Sequence, residues 1–231
     1  MSPDGLRAGA QALRYWERRQ EVISNNLANA STHGFRGERV FAALLADGTV
    51  APQAKTDWRP GQLTQTGNPL DIALEGEGFL VVRTEQGERL VRGGSFRQDA
   101  QGRLVDANGG LLLDESGMPV VLPPGTVDIT RDGSVMVDGR TIATLRVVAP
   151  ADLDAVLHDG ANRFRTDAVL LDVAPEMRRV LQGSLEESNV ETLQTMVEMI
   201  TVQRNYAAVQ STMKVVDNVN GTIANQIGRV S

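Results

Sequence analysis

Residues 189–229 read NVETLQTMVEMITVQRNYAAVQSTMKVVDNVNGTIANQIGR, and this stretch decides the fold. Large apolar residues follow one another along it at alternating gaps of three and four positions. They are Met199, Val202, Tyr206, Val209, Met213, Val216, Ile223 and Ile227, and Asn220 interrupts the series as a polar member. This heptad pattern predicts a long helix that packs on other helices along one narrow face. A helix over the whole stretch would be about 60 Å long.

The N-terminal segment carries a second series with the same spacing. Its large members are Leu6, Leu13, Trp16, Ile23 and Leu27, while Gly9 and Gln20 occupy the two remaining positions. The chain therefore has a helical seam at each end. On periodicity alone, two core helices of one globular domain are an alternative explanation.

The segment between the seams has a different character. Residues 47–69 are polar and rich in proline and glycine, which predicts an extended linker in which Trp58 docks on a neighbouring surface. From residue 70 to about residue 175, short runs of alternating apolar residues are separated by turns such as Asn108-Gly109 and Asp132-Gly133. This spacing predicts an antiparallel β domain.

The predicted fold class is therefore α+β. We expect long N- and C-terminal helices that pair as an α-helical coiled coil, with a mostly antiparallel β domain inserted between them. The predicted divisions are an N-terminal helix over residues 1–34, an extended linker over 35–69, a β domain over 70–175 and a C-terminal helix over 176–231.

Composition excludes several classes of function. The 231 residues carry a net charge of −6, and no basic block is present, so nucleic acid is not an expected partner. The absence of cysteine excludes disulfides and thiolate metal sites. Charged residues within the first thirty positions lead us to expect no cleaved signal peptide.

Candidate catalytic and ligand-binding motifs are weak. Residues 76–78 form half of a dinucleotide fingerprint without the third glycine, and Asp132-Gly133 fits a hairpin turn better than a calcium loop. We expect surface roles for His33 and His158, because neither has a second ligand or a nucleophile nearby in sequence. Residues 186–187 are expected to complement the dipole of the following helix. We therefore predict no enzyme, no catalytic or metal site, no cofactor and no small-molecule substrate.

Three parts of the chain resemble the bacterial flagellar rod and hook proteins. The N-terminal signature is matched by Asn25-Asn26-Leu27-Ala28-Asn29 followed by Thr32-His33-Gly34-Phe35-Arg36. Residues 183–190 and 199–206 resemble the C-terminal signature, and residues 70–79 and 92–105 resemble the start of the family's β domain. The resemblance covers nearly the whole chain in order. Residues 67–71 are similar to the rod members, and the short chain favours the proximal-rod type.

The resemblance implies an axial structural protein of the basal body, in the rod that spans the periplasm, which contributes to torque transmission for motility. Its expected partners are other rod proteins, copies of itself and the flagellar type III export apparatus. The implied architecture is an inner coiled coil made by the terminal helices.

The subunit interface is expected on the two terminal segments. Its predicted residues are Leu6, Leu13, Trp16, Ile23, Asn25, Asn26, Leu27, Asn29, Phe35, Met199, Val202, Arg204, Tyr206, Val209, Met213, Val216, Asn220, Ile223 and Ile227. The asparagine amides are expected to donate to carbonyls near a helix end and to bridge to a neighbouring subunit. Asn220 is expected to fix the register of the coiled coil.

Two alternatives remain open at this point. The chain could be a distal-rod or hook-type axial protein. It could also be a β binding module outside the flagellum, carried on a small closed coiled-coil oligomer, which would form a discrete stable oligomer with a ligand pocket.

Overall fold

The computed structural model describes residues 3–44, 50–160 and 162–227, apart from the side chains of 3, 4, 6, 44 and 220–227. The chain divides into two compact units. The helical unit contains the described parts of residues 1–28, 38–57 and 191–231. The β unit contains the described parts of residues 29–37 and 58–190. The fold class is α+β, as predicted.

Two long helices form most of the helical unit. Helix α1 covers Pro3–Ala28 and helix α2 covers Thr192–Ile227. Helix α1 ends six residues before Gly34, because Asn29 begins a turn in which its carbonyl accepts from the Thr32 amide at 3.0 Å. The Ser188 hydroxyl accepts from the Val190 amide at 3.2 Å, which forms a local turn before α2 begins.

A β-hairpin completes the helical unit. Strands β1 (Glu38–Leu44) and β2 (Val50–Thr56) pair antiparallel from Glu38 opposite Thr56 to Leu44 opposite Val50. The hairpin contacts α1. The expected extended conformation is present here, but it is stabilised by strand pairing that the polar, proline-containing sequence did not indicate. An ion pair between Arg39 and Asp57 at 3.0 Å lies beside the end of the hairpin.

The β unit consists of seventeen short strands in the described residues. They are β3 (Leu63–Gln65), β4 (Asp71–Leu74), β5 (Phe79–Thr84), β6 (Gly87–Val91), β7 (Gly93–Ser95), β8 (Arg97–Gln98), β9 (Leu104–Val105), β10 (Leu111–Leu112), β11 (Val127–Ile129), β12 (Ser134–Val137), β13 (Arg140–Thr144), β14 (Val147–Pro150), β15 (Val156–His158), β16 (Arg163–Thr166), β17 (Leu170–Asp172), β18 (Val180–Gln182) and β19 (Ser184–Glu186). Leu153–Ala155 and Pro175–Met177 form single 3₁₀ turns.

All described strand pairs in this unit are antiparallel, as the turn spacing predicted. The largest sheet has the order β15-β16-β6-β5-β10-β9-β8, and β14 joins it by pairing with both β5 and β17. Smaller sheets have the orders β11-β12-β13, β18-β4-β7 and β19-β3. The last two sheets pair strands near the end of the unit, β18 and β19, with strands near its beginning, β4 and β3.

Two groups of buried apolar side chains form the core of the β unit. The larger group contains residues of β4, β5, β9, β10 and β12, among them Ile72, Leu80 and Val135, which have no exposed surface. The smaller group contains Phe79 and Phe164 and has Trp58 packed against it, which confirms the expected docking of that indole. No helix in the described residues is long and apolar enough to cross a membrane.

Strand β7 provides a stability prediction. Gly93 has φ +142°, and a Cβ there would collide with the carbonyl oxygen of Ile72 on paired strand β4. Gly93→Ala should lower the free energy of unfolding by about 3 kcal/mol or more, since backbone strain and steric overlap add. Gly109→Ala, with φ +79° and open space around the Cβ, should cost about 1 kcal/mol. Urea unfolding of both variants measures the difference, and equal losses would contradict it.

Candidate subunit interface

The predicted seam of α2 is the least exposed face of that helix. Val202 is buried, and the other described seam residues are half-buried: Met199, Tyr206, Val209, Met213 and Val216. The side chains of Asn220, Ile223 and Ile227 lie outside the described part of the chain. The heptad series therefore identifies the face that α2 directs towards its neighbours in the helical unit.

The predicted seam residues of α1 are likewise buried or half-buried where their side chains are described. Ile23 is buried, and Leu13, Trp16 and Leu27 are half-buried. The side chain of Leu6 lies outside the described part.

Helices α1 and α2 pack on each other in opposite directions. A Cβ on Gly9 would collide with Sδ of Met213, so the glycine allows the methionine to approach the backbone of α1. Further along, the Tyr206 hydroxyl donates to a carboxylate oxygen of Glu17 at 3.3 Å. The negative charge of Glu17 raises the pKa of Tyr206 above its ordinary value. Residue numbers increase along α1 from Gly9 to Glu17, while those of the contacting residues on α2 decrease from Met213 to Tyr206. The two helices are therefore antiparallel.

The three asparagines predicted for the interface near the end of α1 have different environments. Asn26 joins α1 to β1, because its Nδ2 donates to the carbonyl of Glu38 at 2.8 Å and its Oδ1 accepts from the Glu38 amide at 2.9 Å. Asn29 accepts from the Thr32 hydroxyl at 3.2 Å in the turn after the helix. Asn25 is exposed. The amides of Asn26 thus bridge elements of one chain.

Helix α2 carries a second apolar face, which sequence reasoning missed. Leu193, Val197 and Ile200 are exposed by 81%, 64% and 52%, and Val215 and Val219 by more than half. At 100° per residue this row lies opposite the seam. Arg204, a predicted interface residue, is exposed and follows the same row. We call these residues (Leu193, Val197, Ile200, Arg204, Val215 and Val219) the outer face of α2.

Within the β unit, a buried carboxylate connects the two signature segments. Glu186 and Arg36 are 2% and 1% exposed, and an Arg36 NH2 donates to Glu186 Oε1 at 2.6 Å. Arg92 Nε donates to the other carboxylate oxygen at 3.3 Å, and the Gly61 amide donates to Oε1 at 3.0 Å. We call these four residues the Glu186 cluster. The expectation that Glu186 complements a helix dipole was wrong, because tertiary pairing with two arginines determines its position.

Backbone contacts extend the same connection. The Gly34 amide donates to the carbonyl of Glu186 at 2.7 Å, and the Gly37 amide donates to Oδ1 of Asn189 at 2.7 Å. Nδ2 of Asn189 donates to the carbonyl of Arg59 at 2.9 Å. Residues of the two signature segments thus bind each other over a separation of 150 positions.

Arg92 is held by the turn between β4 and β5. Its NH1 group donates to the carbonyl of Gly78, and its NH2 group donates to the carbonyls of Leu74 and Gly76 at 3.0 and 2.7 Å. Burial lowers the pKa of Arg92, and the charge of Glu186 opposes that shift. The turn at residues 76–78 therefore positions an arginine.

Aromatic rings pack near the Glu186 cluster. Phe35 is buried, and its ring centroid lies 5.3 Å from that of His158, which in turn lies 4.8 Å from that of Phe164. Trp58 and Phe79 contact Phe164 at 5.2 and 5.8 Å between centroids. The expected surface role of His158 was wrong, because its imidazole is a packed member of this group. His33 is exposed.

No group of three or more His, Asp or Glu side chains among the described residues is arranged to hold a metal ion.

Comparison with known proteins gives a consistent result along the chain. Residues 6–36 match the family model described as flagella basal body rod protein, and residues 73–139 match the flagellar hook protein FlgE/F/G D1 domain. Residues 181–227 match the flagellar basal body rod FlgEFG protein C-terminal model.

Individual relatives align over most of both chains. The flagellar basal-body rod protein FlgF of Escherichia coli K12 is 32% identical over 90% of this chain and 91% of its own length. FlgF of Caulobacter vibrioides is 29% identical over 99% of both chains. The rod protein FlgG of Buchnera aphidicola (from Schizaphis graminum) is 31% identical over 80% of this chain and 85% of its own length.

The Glu186 cluster provides the second stability prediction. Glu186→Gln should lower the free energy of unfolding by about 3 kcal/mol, because two buried guanidinium groups lose their shared counter-charge. Glu187→Gln is the matched control, since Glu187 is exposed and should change stability by about 0.5 kcal/mol or less. Chemical denaturation of both variants tests this, and a similar small effect of both substitutions would refute it.

Proposed function

The chain belongs to the flagellar basal-body rod protein family, and we propose that it is a structural, non-catalytic subunit of the rod, of the FlgF type. The compared FlgF relatives align over 90–99% of this chain, and the compared FlgG relatives align over 80–87%. This fuller coverage supports a proximal position. The FlgG similarity makes a distal-rod position the second candidate.

Assembly through the terminal helices is the central part of the proposal. The observation that carries it is the outer face of α2, where Leu193 is 81% exposed on a helix whose opposite face already packs in the helical unit. An amphipathic helix in a monomeric protein directs one apolar face to the core and a polar face to water. A second apolar face therefore supports packing against further helices from other subunits.

The geometry of such packing favours a tube. We propose that α1 and α2 pair as a coiled coil within each subunit and that their outer surfaces contact neighbouring subunits. Different patches meet across a contact of this kind, and a repeated screw operation then produces an open helical array instead of a closed ring. Other rod proteins and copies of this chain are the proposed neighbours. Torque then passes along the axis through these helix contacts.

Export and location follow from membership of the rod. We propose that the subunit is synthesised in the cytoplasm, passes through the flagellar type III export apparatus and joins the part of the rod that spans the periplasm. The absence of cysteine is compatible with this route, because no disulfide has to form after export.

The outer face of α2 gives a direct genetic test. Leu193→Asp should abolish swimming and rod incorporation, since a charge would be buried between helices, while the folded subunit keeps its stability within about 0.5 kcal/mol. Gln194→Asp is the control, because Gln194 is the adjacent exposed polar residue. Swimming assays and denaturation of the purified subunits provide the measurements. Normal motility of the Leu193→Asp strain would exclude this face as an interface.

Position in the rod requires a separate measurement. Quantitative mass spectrometry of purified hook–basal bodies should find a few copies per particle if the subunit is proximal. Many copies would assign it to the distal rod. Complete absence from the particles, with the protein found elsewhere in the cell, would overturn the axial function and favour a free binding module.

A further inference from the structure

A cavity of about 380 Å³ lies in the β unit beside the Glu186 cluster. Arg36 and Arg92 line it together with apolar side chains that include Trp58, Phe79 and Pro150. Leu153 and Glu77, which are exposed, also line it. The volume falls within the range of sites for small ligands or single side chains.

Arg36 has donors that its ion pair does not use. One NH2 group binds Glu186, but Nε and NH1 are buried and donate to no acceptor among the described residues. Buried guanidinium N–H groups normally have partners, so among the described residues the charge of Arg36 is balanced by Glu186 alone.

Arg92 differs from Arg36 in this respect. Its Nε donates to Glu186, and its two terminal nitrogens donate to carbonyls of the turn at residues 74–78. Arg92 is therefore fixed in place and contributes charge to the cavity wall, whereas Arg36 retains free donors.

The charges around the cavity favour an anion. Two buried guanidinium groups share the single buried carboxylate of Glu186. Burial is the main cause of the lowered pKa of Arg92; the charge of Glu186 opposes this shift, and the charge of Arg36 adds to it. Glu77 is exposed and lies at the rim, so it opposes an incoming anion without neutralising the arginines.

The apolar walls restrict the type of anion. Trp58, Phe79 and the prolines offer no charged partner for a group that carries several charges, but they can pack on a hydrocarbon stem. We propose that this cavity binds a carboxylate carried on a short apolar stem, attracted by the positive charges of Arg36 and Arg92. An acidic side chain of a neighbouring protein chain and a free small carboxylic acid share this chemistry.

Trp58 provides the readout for the test. In a Trp16→Phe background it is the single tryptophan of the chain, since the sequence contains two. Butanoate is the probe, and butanamide is its neutral control of the same shape. Butanoate should change Trp58 fluorescence saturably, and butanamide should bind about tenfold more weakly, because its attraction to the two guanidinium charges is lost. No saturable response, or equal binding of the two compounds, would overturn the proposal.

Substitutions at the rim of the cavity test whether butanoate binds there. Leu153→Glu should weaken butanoate binding about threefold or more by charge repulsion, while Leu157→Glu should not, because Leu157 is similarly exposed but does not line the cavity. Glu77→Gln should tighten binding about twofold, and it keeps the test decisive if Leu153→Glu does not fold. An equal effect of the two leucine substitutions, or no tightening by Glu77→Gln, would contradict the site.

A peptide distinguishes the two sources of the carboxylate. If the natural occupant is a protein side chain, a capped Leu-Glu-Leu tripeptide should bind at least as tightly as butanoate. If it is a free acid, butanoate should bind and the peptide backbone should be excluded. Either result supports the carboxylate site, and failure of both compounds to bind excludes it without affecting the proposed role in the rod.

Discussion

The buried carboxylate of Glu186 holds together parts of the chain that are far apart in sequence. It accepts from Arg36 near the N-terminus, from Gly61 and from Arg92 in the β unit. An ion of this kind is costly to remove from water unless every partner is present. The cluster therefore needs Arg36, Arg92 and Glu186 in place together.

The helical unit depends on a different force, the burial of narrow apolar seams. Small and large residues complement each other there, as Gly9 and Met213 show. A two-helix contact of this kind leaves much of each helix exposed to water, and in α2 the exposed surface includes large aliphatic residues. Pairing within one chain thus accounts for the heptad series and leaves the outer face of α2 unexplained until further helices are added.

Sequence patterns predicted the strands whose positions depend on nearby residues, namely on apolar alternation and on turn residues. The strands from β4 to β14 follow alternating apolar residues and glycine turns such as Asn108-Gly109, so their existence and direction could be inferred. The β1–β2 hairpin could not be, because Pro52 and the polar residues of β2 (VAPQAKT) give no regular alternation that marks it as a strand. Glu186 and His158 were misjudged for a related reason, since distant residues such as Arg36 for Glu186 and Phe35 for His158 contribute to their environments. The residues of the outer face of α2 form a second apolar row in the sequence. It was missed because the heptad series is more regular.

The proposed assembly requires a subunit that stays soluble until it meets its neighbours, and the outer face of α2 is compatible with solubility as well as with assembly. Arg204 interrupts the apolar row, and the small residues Ala207 and Ser211 separate Ile200 from Val215. The row is therefore discontinuous, which limits the attraction between two subunits in isolation. The net charge of −6 adds repulsion between free copies. Several neighbouring subunits around one helix would bury the row from more than one side. The favourable free energy of burial would therefore increase with the number of neighbours. In the proposed assembly, this dependence favours growth on an existing rod over association in free solution.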